Sequence, residues 1–90
     1  MEILLKVYLE SIGTSAAVEL IAASVSADTY IYIKNVDSTN FLFIKTAGGQ
    51  TYAKLSAQEA ILLCVYGGIG IEVLADTASC VVEFATFTKS

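Results

Sequence analysis

The sequence predicts an all-β fold: a small antiparallel β-sandwich, jelly-roll-like, built from seven to eight short strands. Three observations lead there. Short runs of β-branched and aromatic residues recur at regular spacing, as in "TYIYIKN", "FLFIK" and "CVVEFATF". Clusters of Asp, Asn, Ser, Thr and Gly separate them, each with a local reason to turn the chain. No long segment carries an uninterrupted helical period.

The elements follow in order. "ILLKVYLESI" is the first extended run, ended by Gly13. "TSAAVELIAASV" is rich in alanine, which suits a helix, yet Val18 and Leu20 alternate with Glu19 and Ile21, and the segment reads as extended. "TYIYIKN" is a strand, "VDSTN" a turn, "FLFIK" a strand, and "TAGGQ" a turn that uses the freedom of its glycines. "TYAKL" follows. Ser56 and Glu59 then match the S-x-x-E pattern that opens helices. Only Ala60 to Tyr66 lie between that signal and Gly67, about two turns' worth and rich in Ile, Leu, Val and Tyr, so a strand is expected there. "GGIG" is a structural turn, "IEVLA" a strand, "DTAS" a turn and "CVVEFATF" the closing strand.

Residues 1–90 make one sandwich domain, with 1–27 an N-terminal segment that serves as an arm or as edge strands. A chain this short buries only about 60–65 % of its unfolded surface on folding. Yet 56 % of its residues are hydrophobic, and Ile, Leu, Val and Phe make up a third. In "YIYI" and "FLFI" neither face of the strand is polar, whereas a half-exposed antiparallel strand alternates. One face packs on the opposite sheet and the other needs a cover, most simply a copy of the same chain. The interface candidates are Tyr30, Tyr32, Phe41, Phe43, Tyr52, Tyr66 and Phe87.

Composition narrows the function. The net charge is −4, with no Arg and no His. Five scattered lysines provide no basic face for phosphates, so nucleic acid is not an expected partner. Cys64 and Cys80, with no His beside them, do not make a zinc site; they read as two buried thiols, with a single disulfide as the alternative. The start of the chain lacks a basic leader, and the run from Ala60 to Ile71, closed by Glu72, falls short of the ~18 residues of a spanning helix, so no membrane is expected. Gly67, Gly68 and Gly70 fit no phosphate-loop spacing. Asp28, Asp37, Asn40 and Asp76 would need to meet at one end to hold Ca²⁺, which takes about six to eight oxygens; turn formation is the simpler role. Glu59, Glu72 and Glu83 show no spacing that builds a shared cleft. Tyr30, Tyr32, Tyr52 and Tyr66 suit either packing or a sugar-binding groove. No cofactor, metal, small-molecule substrate or catalytic group is expected.

Across "YIYIKNVDSTNFLFIKTAGGQTYAKLSAQEAILLCV" the chain resembles a family of small β-rich virion proteins of tailed bacteriophages. In that family an aromatic–apolar strand runs into Asn, then an Asp-x-Thr-Asn turn and an apolar strand. A glycine turn, Lys-Leu and a Gly-Glu pair lead into another apolar strand. The matching positions are Tyr32–Asn35, Asp37–Phe41, Lys54–Leu55, Glu59, Asp76–Thr77 and Val82–Phe84. The likeness spans roughly residues 28 to 87. It departs at Gln58, where glycine is usual, and the first 27 residues have no counterpart. The resemblance implies a non-enzymatic structural protein of the virion, assembled in the host cytoplasm. Decoration (cement) of the head comes first, with a homo-oligomer, such as a trimer, and the major capsid protein as partners. A tail or fibre adaptor, or a glycan- or receptor-binding β-domain, is the alternative.

Overall fold

The computed structural model describes residues 6–88. Eight strands form: β1 Tyr8–Ile12, β2 Val18–Ile21, β3 Thr29–Asn35, β4 Leu42–Lys45, β5 Thr51–Leu55, β6 Ala60–Val65, β7 Ile71–Ala75 and β8 Cys80–Thr88. Within the alanine-rich segment only Val18–Ile21 is a strand; residues 14–16 bend, residues 23–24 turn, and a bulge between Glu19 and Ile21 breaks the alternation and buries Ile21. The stretch after Ser56 is the strand β6. The Glu59 carboxylate still accepts from the Ser56 N–H at 2.7 Å, the arrangement a helix start uses, but here it closes a β-turn. Gln58 takes φ 67° in that turn, the left-handed conformation that a glycine supplies at lower cost. Its Nε2 donates to the carbonyls of Val36 and Asp37, both at 3.1 Å, so the side chain ties two turns together.

The strands pair as one long antiparallel ribbon rolled upon itself. β4 pairs with β5, β3 with β6, β2 with β7 and β1 with β8, nested about the "TAGGQ" turn. Successive rungs of this ribbon fall in alternate sheets. The contacts β3–β8 and β4–β7 complete two four-stranded sheets, β1-β8-β3-β6 (sheet A) and β2-β7-β4-β5 (sheet B). This is jelly-roll topology.

Period-two alternation supplies the core between the sheets. β3 buries Thr29, Ile31, Ile33 and Asn35, β4 buries Leu42 and Ile44, and β7 buries Ile71, Val73 and Ala75. Ile12, Ile31, Ile33, Leu42, Ile44, Val73 and Val82 are fully enclosed. Burying one such side chain stabilises by about 1.5–3 kcal/mol.

One buried polar residue organises one end of the sandwich. Asn35, 0 % exposed, donates from Nδ2 to the carbonyls of Asn40 (2.9 Å) and Leu55 (3.2 Å), and its Oδ1 accepts from the Asp37 N–H (3.0 Å). The Asp37 carboxylate then accepts from the N–H groups of Thr39 and Asn40. These bonds hold its pKa below the usual carboxylate range, the Asn40 N–H contributing most. At the other end the Asp28 carboxylate accepts from the Gly67 N–H at 2.9 Å, and the Gly68 N–H donates to Val25. A methyl group on Gly67 would collide with the Ser26 carbonyl, so this turn requires glycine for close approach.

Candidate functional site

β1 and β6 are the edges of sheet A; β2 and β5 are the edges of sheet B. The two outer faces differ sharply in chemistry. Strand register defines rows across the outside of sheet A, in the order β1, β8, β3, β6. One row runs Leu9, Glu83, Lys34, Ala60. The next holds Ala85, Tyr32 and Leu62, and the next Phe87, Tyr30 and Cys64. Leu9 is 69 % exposed, Leu62 64 % and Phe87 42 %, while Tyr30 and Tyr32 are half-buried by their neighbours. Tyr30 and Phe87 stack with ring centroids 5.1 Å apart. Lys34 and Glu83, side by side near the middle, bring the only charges into these rows.

Sheet B is outwardly mixed. Glu19 lies opposite Glu72, and Glu72 opposite Lys45. Phe43 sits between Leu74 and Lys54. Phe41 meets Phe43 edge-on at 5.3 Å, and the Lys54 ammonium stands 4.3 Å from the Phe41 ring centroid. Phe41 and Phe43 therefore lie beside a charge that water can solvate, while Tyr52 on β5 stands apart from them.

The sequence-derived interface candidates thus separate into three groups. Tyr30, Tyr32 and Phe87 converge on the outside of sheet A. Phe41 and Phe43 belong to sheet B. Tyr52 and Tyr66, 55 % and 75 % exposed, flank a cleft of about 200 Å³ beside the free edges β5 and β6, which Thr46, Cys64, Val65, Ile69 and Ile71 also line. Sequence reasoning missed Leu9, Leu62 and Val81 as outward-facing residues. Leu62 stands in the continuous apolar run "AILLCV", which gives no sign of which alternate residues face out.

Other placements qualify the sequence reading. The two thiols are free, and they are not both buried as expected: Cys80 is enclosed, but Cys64 is exposed on the outside of sheet A, because it pairs with outward-facing Tyr30. Burial, with the nearby Asp37 charge adding to it, pushes the Cys80 thiol pKa up. Asp28 lies at the opposite end of the sandwich from Asp37, Asn40 and Asp76, so the four oxygen donors do not converge; among the described residues no group of three or more acidic, Cys or His side chains is placed to hold a metal. Glu72 and Glu83 point outward from opposite sheets, and Glu59 is occupied in its turn. Among the described residues no helix is long and apolar enough to cross a membrane.

No protein-family model matches the chain, and no curated protein matches it in sequence.

Proposed function

We propose that this chain is a non-enzymatic structural protein of a bacteriophage virion, a head decoration protein that stabilises the capsid through apolar contacts with copies of itself and with the major capsid protein. The observation that carries this reading is the asymmetry of the sandwich: exposed large apolar side chains, Leu9, Leu62, Val81 and Phe87, gather on the outside of sheet A. The resemblance of residues 28 to 87 to small phage virion proteins supplies the setting. Capsids carrying the protein are expected to withstand higher temperature than capsids lacking it, and the protein is expected to sediment with heads. Its absence from heads and presence on tails would overturn decoration in favour of the tail or fibre adaptor.

The cleft between Tyr52 and Tyr66 favours a second reading, glycan binding, since exposed aromatic faces stack on sugar rings. That reading predicts saturable binding on a glycan array, abolished by Tyr52→Ala or Tyr66→Ala. No array signal from the intact protein eliminates it.

A further inference from the structure

We propose that the outer face of sheet A is covered by the same face of a second copy, related by a two-fold axis that runs parallel to the strands between β8 and β3. This deepens the virion reading by naming the contact between copies, and rests on that reading only for its setting. The argument comes from the rows on the face. Such an axis lays β8 of one copy over β3 of its partner, and β1 over β6, with each row on its own counterpart. Glu83 then faces the partner's Lys34, and Lys34 faces the partner's Glu83. Small meets large in the same arrangement where Ala60 lies over the partner's Leu9, while Ala85, 1 % exposed, offers little surface of its own beneath the partner's Tyr32.

Other two-fold arrangements fail on charge. An axis crossing the strands at the Glu83–Lys34 row sets each charge on its own kind. An axis crossing at the Ala85–Tyr32 row places those charges over Phe87 and Tyr30 of the partner, where they lose water without gaining a counter-ion. Of these three axes the parallel one pairs both charges with counter-ions, and an isologous contact of this kind closes at two subunits. Sheets that pack face to face lie about 10 Å apart with strands within about 30° of each other, and the parallel axis keeps the strands in that alignment.

The area sets the expected strength. Four strands about 4.8 Å apart and about six residues long present roughly 400 Å² of sheet per copy in flat projection. Both copies together cover roughly 800 Å², below the ~1,200–2,000 Å² of stable specific complexes, so a weak, concentration-dependent dimer is expected. Contacts with the capsid then fall to the remaining surfaces, including the open β5–β6 side.

The test is sedimentation of the full chain over a concentration series. Wild type is expected to pass from 9.5 kDa to twice that mass. Lys34→Glu and Glu83→Lys are each expected to weaken association about tenfold or more, because each makes the four central charges alike. Mixed in equal amounts, these two variants complement one another, and the mixture is expected to recover association. Leu62→Lys, at a position 64 % exposed and so tolerant of change in the fold, is expected to be monomeric. Wild type that remains monomeric to millimolar concentration, a stable trimer, or a mixture that stays monomeric overturns the proposal. A dimer that never associates with capsids would leave this contact standing and remove the virion reading, so the two failures are distinguishable.

Discussion

Replacing Asn35 with alanine tests how the loop-bearing end of the sandwich is held. The side chain is fully enclosed and makes three hydrogen bonds, to the carbonyls of Asn40 and Leu55 and from the N–H of Asp37. After truncation the Leu55 carbonyl loses this buried donor, at a cost of about 1–3 kcal/mol. The Asn40 and Asp37 groups are partly open to water, so each forfeits only the net value of a hydrogen bond, about 0.5–1.5 kcal/mol. The expected loss is about 3 kcal/mol, a large share of the roughly 5–15 kcal/mol that a domain holds. In thermal unfolding that is a fall in Tm of about 12–24 °C for a domain this size. Asn35→Leu restores the volume without the polar atoms and is not expected to rescue. Urea titrations followed by far-UV circular dichroism measure both variants. A loss under about 1 kcal/mol for Asn35→Ala, or full rescue by Asn35→Leu, would refute the reasoning, because the polar bonds would then contribute little.

Further expectations are independent of that network. Gly67→Ala forces a methyl group against the Ser26 carbonyl and is expected to destabilise by about 1–3 kcal/mol or more, while Gly13→Ala, with open space around it, stays near wild type in the same urea titration. Under native conditions a thiol reagent is expected to modify Cys64 quickly and Cys80 only on unfolding, read by mass spectrometry; equal rates would contradict the burial of Cys80. The Asp37 carboxyl has a folded pKa below its ordinary value of 3.8, so its contribution is complete above that pH and is lost as pH falls through the folded value. Asp37→Asn is expected to flatten that part of the acid limb of a stability–pH profile, and an unchanged limb would assign acid unfolding to other groups.

Strand positions were legible where alternation or turn chemistry was local. β3 and the Asp37–Asn40 turn are written in "TYIYIKNVDSTN", whereas the left-handed turn at Gln58, a residue that rarely adopts that conformation, was not. The apolar outer positions of "YIYI" were legible too: Tyr30 and Tyr32 face out of sheet A beside Phe87 and Leu62. What the sequence did not show was the partition of these faces between sheets. Tyr32 and Phe43 occupy equivalent outward positions on their strands, yet one lies beside Leu62 and the other beside Lys54. That difference arises from long-range pairing, which no local pattern encodes. Cys64 was misjudged for the same reason: thiols are usually buried, but register with Tyr30 fixes this one outside.

Hydroxyl-radical footprinting with mass spectrometry, run from dilute to concentrated protein, addresses the central claim most directly. If the outer side of sheet A is a docking surface, oxidation of Tyr30, Tyr32, Leu62 and Phe87 falls together as concentration rises, while Phe43 and Leu74 on sheet B keep their rates. Equal rates on both sheets at every concentration, with Leu62 and Phe87 freely oxidised throughout, would contradict it.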